Sequence, residues 1–253
     1  MPGRNVDGAQ AVWREERSIE SFDVDARGRL RPHVMLGHLL NSAWNHTRGT
    51  PYGYEGLTAQ GRMWVLVKID LRISRIPEWG EKLGIETWGK RIERLFALRD
   101  FLVSDESGEA VVRATSSWMI LSRESGRPQR LSRMGEEFPW SPDREALKAE
   151  LGKVDALQSG IELARFPVLH SDIDVNGHVN STSYLRWMID AHEHGLMQKR
   201  ELAALSLSFL AEAMPEDRIA VFSEGSEAGE LCCVRHAEDG TDFCRAMMSW
   251  DMG

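Results

Sequence analysis

Hydrophobic residues recur at helical spacing in two separate segments of this chain. The first stripe comprises Leu36, Leu39, Leu40, Ala43 and Trp44. The second, which has less polar surface around it, comprises Tyr184, Leu185, Trp187, Met188 and Ala191. Positions three and four residues apart share one face of an α-helix. The two patterns therefore predict two helices that are largely buried.

Apolar and polar residues alternate between residues 65 and 73, which is typical of a strand with one buried face. Further strand patterns follow each predicted helix, at 82–88, 95–103 and 110–121 in the first half and at 203–210, 218–224, 230–237 and 241–251 in the second. Short turns separate these strands, so we expect them to pair as antiparallel meanders. Each half is then one sheet wrapped around one helix.

The chain also contains an internal repeat. The pattern RAxxSW occurs at Arg113–Trp118 and again at Arg245–Trp250, and both copies follow a turn rich in glycine and acidic residues. Ahead of the helices, we align Pro32-His33-Val34 with Gly177-His178-Val179, and in this alignment the first loop lacks the aspartate and asparagine of the second. These matches predict that the chain contains one structural unit in two copies. The predicted parts are an N-terminal unit at 1–125, a linker with a polar helix at 126–160 and a C-terminal unit at 161–253.

Composition narrows the class of protein. The 253 residues are 42% hydrophobic and 28% charged, as in ordinary globular domains. The formal net charge of −8 argues against a nucleic-acid partner. No apolar stretch is long enough to span a bilayer or to form a signal peptide, so we expect a cytoplasmic protein without membrane contact. Nine tryptophans and eleven methionines favour an apolar ligand.

The loop from His170 to Asn180 has the densest set of polar side chains. Asp174, Asn176 and His178 alternate, so an extended approach to the second helix would place all three on one face. The backbone N–H groups at the start of that helix would lie beside them and could bind an oxyanion. A purely structural interpretation also holds, because Asp, Asn and Ser are favoured in turns and at helix N-caps, and Asn180 or Ser181 is expected to be such a cap.

The segment DIDVNGHVNSTSYLRW at Asp172–Trp187 resembles the second-repeat signature of the acyl-acyl carrier protein (acyl-ACP) thioesterases of plants and bacteria. First-repeat landmarks of the same family are WNHTR at 44–48, MWVLVKI at 63–69, PEWGE at 77–81, ETW at 86–88 and RATSSWMIL at 113–121. The resemblance implies an α+β fold of two fused hotdog units, each an antiparallel sheet around a long central helix.

The resemblance also implies an activity, namely hydrolysis of the thioester that joins a fatty acyl group to its carrier protein. The family's catalytic network matches Asp174, Asn176, His178 and Glu212. Family members often have a cysteine directly after that glutamate, but here the residue is Ala213. We therefore expect attack by water, with Glu212 as general base, Asn176 and His178 bonding the water or the thioester, and Asp174 orienting them.

The first repeat is then expected to hold the acyl chain, with Leu40, Trp44, Met63 and Trp64 as candidate wall residues. Because carrier proteins are acidic, docking needs a basic patch. The candidates are Arg123, Arg127, Arg130 and Arg133, with Lys90, Arg91 and Arg94 as a second group. We expect no cofactor and no metal, since His192 and His194 do not share a helix face. Two competing functions stay open, namely an acyl-CoA thioesterase and a non-catalytic acyl sensor. A homodimer is also an open alternative.

Overall fold

The computed structural model describes residues 10–131, 134, 137–148, 152–227 and 229–252. Its strands are β1 (Trp13–Ser18), β2 (Arg62–Ile73), β3 (Lys82–Glu93), β4 (Phe96–Ser104), β5 (Ala110–Ser122), β6 (Ile161–Pro167), β7 (Arg200–Phe209), β8 (Arg218–Ser226), β9 (Gly229–His236) and β10 (Asp242–Met252). Its helices are α1 (Pro32–Thr47), α2 (Tyr54–Ala59), α3 (Ser181–Asp190) and α4 (His194–Met197), with a 3₁₀ turn at His170–Asp172.

All ten strands form one antiparallel sheet in the order β1-β3-β4-β5-β2-β7-β10-β9-β8-β6. The two halves of the sheet are equivalent. In chain order, each half starts with a strand, continues with a helix and adds four more strands. The halves join through β2 and β7, which pair from Lys68 opposite Ser208 to Arg72 opposite Ala204. The duplication predicted from the repeat is therefore present in the topology.

Two features of the sheet differ from the predicted meanders. In each half the last three strands do form a meander, but β2 and β7 cross over to pair with β5 and β10 at the centre. The crossover makes β2 and β7 the innermost strands, where their apolar residues are buried among neighbours. The strands β1 and β6 were not predicted. Both are edge strands with charged side chains, so they lack a strong apolar alternation.

The two predicted helices are present as α1 and α3. Leu36 and Leu39 of α1 and Leu185 and Met188 of α3 are completely buried. These residues belong to one continuous hydrophobic core shared by both halves. Helix α3 has only 10 residues, against 16 in α1, so the long central helix expected in each half is found only in the first.

The segment between the halves is largely irregular. The charged run from Asp143 to Lys153 suggested a polar helix. Its described start, up to residue 148, forms turns, bends and irregular backbone, and residues 149–151 lie outside the described residues. Met134 and Glu137 have helical backbone. Aromatic residues anchor this segment: Phe138 packs at 5.0 Å from Trp140 and 5.4 Å from His46, measured between ring centroids. The linker therefore covers part of the first half.

Candidate active site

The polar loop forms a tight turn between β6 and α3. The Asp174 N–H donates to the carbonyl of His178 at 2.8 Å, and the Gly177 N–H donates to the carbonyl of Asp174 at 3.0 Å. Gly177 has a φ of +80°, in the left-handed region that glycine adopts without a Cβ clash. The predicted extended approach is wrong, because Gly177 reverses the chain between Asn176 and His178.

Within this turn, Asp174 and Asn176 are bonded to each other. The Asp174 Oδ1 atom accepts from the Asn176 backbone N–H at 2.7 Å, and its Oδ2 atom lies 3.4 Å from Asn176 Nδ2. Four residues after Asn176, the Oδ1 atom of Asn180 accepts the N–H of Thr182 at 2.9 Å, which confirms the predicted N-cap. Part of the loop's polarity therefore shapes the backbone, as the structural interpretation requires.

Backbone N–H groups at the start of α3 are largely occupied. The Val179 N–H donates to the carbonyl of Ala213 at 3.2 Å, and the Asn180 N–H donates to the carbonyl of Asp172 at 2.7 Å. With the Thr182 N–H bonded to the cap, these three groups are not available to an oxyanion. The predicted oxyanion role is therefore wrong for these three groups.

Glu212 lies three residues beyond the end of β7 and faces the loop. Its Oε2 atom is 3.2 Å from His178 Nδ1, with 45% of the Glu212 side chain and 27% of the His178 side chain exposed. The backbone around Glu212 is held on both sides: the N–H of Ala211 donates to Phe243, and the N–H of Ala213 donates to the buried Tyr184 hydroxyl at 2.9 Å. The backbone on both sides of Glu212 is thus held in place, and the carboxylate reaches the imidazole from this position.

A cavity of about 790 Å³ extends from this loop into the first half. It is within the range of small-molecule sites, about 300–1,000 Å³. Its wall includes the four candidate catalytic residues Asp174, Asn176, His178 and Glu212 and the four candidate chain-binding residues Leu40, Trp44, Met63 and Trp64. The structure therefore brings both predicted sets into one continuous space.

Aromatic side chains build the first-half part of the wall. Trp44 stacks on Tyr54 with ring centroids 5.0 Å apart. Trp64 donates its indole N–H to the carbonyl of Tyr52 at 2.9 Å and meets Trp118 edge to face. These contacts fix the indole planes, so the cavity has rigid sides.

One buried charged residue in this wall was missed from the sequence. Arg99 is 7% exposed, and its Nη1 atom donates to Nδ1 of His46 at 2.9 Å and to Thr87 Oγ1 at 3.0 Å. Burial lowers the pKa of Arg99 to about 10, and burial together with the Arg99 charge lowers the pKa of His46 to about 3. Arg99 lies inside a strand pattern, where the sequence gives no sign that a guanidinium lines a cavity.

The candidate docking arginines fall into three groups. Arg127 and Arg130 are exposed just beyond β5. Arg123 lines the cavity and donates from Nη2 to Asn176 Oδ1 at 3.3 Å. Arg133 lies outside the described residues. In the second predicted group, Lys90 is buried and lies 3.5 Å from Asp100, so it is not available for docking.

The three cysteines lie in the sheet interior and are buried. Desolvation raises the pKa of Cys233 to about 12 and raises the pKa values of Cys232 and Cys244 as well. A high pKa disfavours the thiolate, which is the nucleophilic form. These thiols therefore lack the properties of a nucleophile, in agreement with the expectation of attack by water.

Within the described part of the chain, one group of side chains has metal-ligand spacing, namely His192, Glu230 and Cys232. Its carboxylate already has other partners, because Glu230 Oε2 accepts from Arg200 at 2.8 Å and from the Trp250 indole at 2.9 Å. The charge of Glu230 is thus neutralised by side chains. None of the three residues lines the cavity described above.

The first half contains a counterpart of the polar loop, and the predicted alignment of the two loops is wrong. The Asp25 N–H donates to the carbonyl of Arg29 at 2.8 Å and the Gly28 N–H donates to that of Asp25 at 3.0 Å, as in the second loop. Gly28 also has a positive φ, +77°. Asp25 therefore corresponds to Asp174, while Arg27 and Arg29 stand where the second loop has Asn176 and His178.

The counterpart loop cannot repeat the chemistry of the second. The guanidinium of Arg27 is used structurally, donating to the carbonyls of Gln198 and Arg200 at 2.9 and 3.0 Å. The Leu30 N–H donates to the carbonyl of Pro77 as the Val179 N–H does to that of Ala213, so Ile76 stands at the position of Glu212. The chain has one polar site of this kind among its described residues.

The fold and the site together define a duplicated sheet-and-helix protein with one ligand cavity between an apolar half and a polar loop. Family models for the N-terminal and C-terminal domains of acyl-ACP thioesterases match residues 10–138 and 157–252. The chain belongs to the acyl-ACP thioesterase family, as its sequence motifs indicated.

Individual relatives agree with this assignment. A palmitoyl-acyl carrier protein thioesterase of Gossypium hirsutum is 27% identical over 265 residues, which cover 94% of this chain and 63% of that protein. The chain thus spans a little over three fifths of that relative's length. The crystal structure of an acyl-ACP thioesterase from Bacteroides thetaiotaomicron superposes with a TM-score of 0.86 at 25% identity and covers 95% of this chain and 98% of its own.

A 12:0-ACP thioesterase from Umbellularia californica has the same fold, with a TM-score of 0.82 at 21% identity over 96% of this chain and 98% of its own. Within the described residues, no helix has the length and apolar character needed to cross a bilayer.

Proposed function

We propose that this protein hydrolyses fatty acyl-ACP thioesters to a free fatty acid and the holo carrier protein, the step that terminates acyl-chain elongation. The observation that carries the proposal is the shared cavity, in which the polar loop and Glu212 border the same space as the apolar residues of the first half. Family membership supports the reaction type. We propose further that the fold is a tandem hotdog with units at 1–125 and 161–253, and that the protein is cytoplasmic.

The proposed chemistry is attack by water on the thioester carbonyl. Glu212 takes a proton from water, the oxygen bonds to the carbonyl carbon, and the C–S bond of the tetrahedral adduct breaks. The leaving thiolate takes up the proton. A thiol has a pKa of about 8.5, so this leaving group needs little acid catalysis. We assign the Asn176 amide and the His178 imidazole, which line the same cavity, to the carbonyl or the water, and Asp174 holds the amide.

Hydrolysis of a panel of purified acyl-ACP thioesters, from short to long chains, tests the proposal. We expect release of thiol from some members and little from the same chains on coenzyme A. Efficient hydrolysis restricted to acyl-CoA would favour the competing acyl-CoA thioesterase. Saturable binding without turnover of any thioester would favour an acyl sensor.

Trp64→Ala is expected to move the preferred substrate toward longer acyl chains, because it removes an indole from the cavity wall. Each buried methylene contributes about 0.8 kcal/mol, and pockets discriminate one methylene by about 10–200-fold. The ratio of kcat/KM between neighbouring chain lengths measures the shift. Trp79→Ala, at an exposed tryptophan outside the cavity wall, is the control. An unchanged profile would remove Trp64 from the chain-binding wall.

Charge reversal at Arg127 and Arg130 is expected to weaken docking of the acidic carrier. The Arg127→Glu/Arg130→Glu variant should raise KM for acyl-ACP several-fold at low salt and leave small thioesters unaffected, since rim charges act mainly through association. Arg113→Glu tests the effect of charge alone, because Arg113 is exposed on β5 far from its end at Ser122. Equal changes for both substrates would place docking elsewhere.

A further inference from the structure

Arg123 is exposed, as Arg127 and Arg130 are, but both its backbone and its guanidinium have hydrogen-bond partners. Its backbone N–H donates to the carbonyl of Gly61 at 2.8 Å, and its Nε atom donates to the carbonyl of Arg62 at 3.2 Å. From this anchored position, Nη2 reaches Oδ1 of Asn176 at 3.3 Å. A residue of the first half therefore bonds directly to the polar loop of the second.

This contact determines which way the Asn176 amide faces. A guanidinium has only donors, so the atom facing Arg123 must be the amide oxygen. On the other side, an ionised carboxylate only accepts, so the atom 3.4 Å from Asp174 Oδ2 must be the amide nitrogen. With the amide flipped, its N–H groups would face the N–H groups of Arg123, and its oxygen would face the carboxylate oxygen of Asp174.

The fixed orientation leaves a donor for the cavity. An amide nitrogen carries two hydrogens, and Asp174 takes one of them. The second is available to a thioester carbonyl or to the attacking water in the cavity that Asn176 lines. If the amide were to rotate, the cavity would meet an acceptor at this place, and a developing oxyanion would be repelled.

The same position argues against a docking role for Arg123. A group within bonding distance of Asn176 lies at the thioester end of the carrier's pantetheine arm, whereas the acidic surface and the phosphate of the carrier lie at the other end of that arm. Within the described residues, Arg127 and Arg130 are exposed as Arg123 is, but they have no side-chain bond to the polar loop. Arg123 is thus separated in role from its neighbours by geometry.

We infer that Arg123 is a positioning residue that holds the Asn176 amide with its N–H toward the reacting thioester. The inference rests on the proposed thioester hydrolysis and adds to it the residue that orients one of its donors. It also assigns to the first half a part in the chemistry beyond holding the acyl chain.

The test compares Arg123→Gln with Arg113→Gln on an acyl-ACP and on the matching acyl-N-acetylcysteamine, a small thioester without a carrier. Arg123→Gln should lower kcat about tenfold on both substrates, the scale of one charge-assisted hydrogen bond, with KM changed less than twofold. Arg113→Gln, at an exposed arginine of β5 outside the cavity wall, should leave kcat unchanged. Unaltered kcat in Arg123→Gln, or an effect confined to KM for acyl-ACP, would overturn the inference.

A double-mutant cycle tests whether Arg123 acts through Asn176. In the Asn176→Ala background, Arg123→Gln should lower kcat less than twofold further, because no amide is left to orient. An equal loss in both backgrounds would contradict a positioning role. Guanidinium ion in solution should also restore part of the kcat of Arg123→Ala, which a change in overall folding would not permit.

Failure of this inference is distinguishable from failure of the proposed function. If the wild-type protein hydrolyses the small thioester but not the acyl-ACP, the carrier-protein function is contradicted, while the comparison of the Arg123 and Arg113 variants still decides the role of Arg123. If the wild-type protein hydrolyses both and Arg123→Gln matches it, only the role of Arg123 is refuted.

Discussion

Glu212→Gln is expected to lower kcat by about 10²–10⁴-fold, the usual contribution of a general base. The amide has the size of the carboxylate and keeps an oxygen near His178, but it cannot accept a proton from water. Because 45% of the Glu212 side chain is exposed, the change leaves no buried charge without a partner. The free energy of unfolding should therefore change by no more than about 0.5 kcal/mol.

Single-turnover and steady-state rates on an acyl-ACP, together with a thermal unfolding curve, measure this prediction. Glu216→Gln is a matched control, since Glu216 lies four residues further along, is exposed and does not line the cavity. The control should keep wild-type turnover. If Glu212→Gln retains near-normal kcat, the proton acceptor must be another group and the proposed chemistry fails.

The sequence predicted those elements whose burial leaves a periodic pattern. The stripes around Leu39 and Leu185 gave both core helices because each buries one face. The edge strands β1 and β6 escaped detection because an edge strand needs charged residues rather than an apolar face. The pairing of β2 with β5 and β7 also escaped, since periodicity reports which residues are buried but not which strand lies beside them.

The site was predicted unevenly, for a similar reason. Asp174, Asn176 and His178 are close in the sequence, so their density alone drew attention to the loop. Glu212 follows a different strand, and only its resemblance to a family motif connected it to that loop. The contacts of Arg123 and the buried Arg99 gave no sequence signal, because they arise from the meeting of distant segments.

The two loops of the duplicated fold share a backbone turn but differ in the side chains that it presents. Both loops retain the aspartate and the glycine, which fold the turn through the same backbone bonds. The side chains that would face a thioester differ, since Arg27 and Arg29 replace the amide and the imidazole. Arg27 instead holds the loop against Gln198 and Arg200. The aspartate and the glycine that both loops share therefore form the turn, whereas the polar groups specific to the second loop are those proposed for chemistry.

His178→Ala is expected to lower kcat by more than about tenfold, because we propose that the imidazole bonds the water or the carbonyl, and its Nδ1 atom lies 3.2 Å from Glu212 Oε2. His170→Ala is the control, since His170 is exposed in the 3₁₀ turn and does not line the cavity. The same assays on acyl-ACP measure both variants. Near-wild-type turnover in His178→Ala would remove the imidazole from the mechanism.

The His178→Ala/Glu212→Gln double variant separates a coupled pair from two independent groups. If the imidazole acts by holding the carboxylate and its water, the double variant should be about as slow as the slower single variant, as for groups that act as a unit. If the two losses multiply, His178 acts on the carbonyl without Glu212. The short distance between the two side chains favours the first outcome, because removal of either group leaves the other without the partner that orients it.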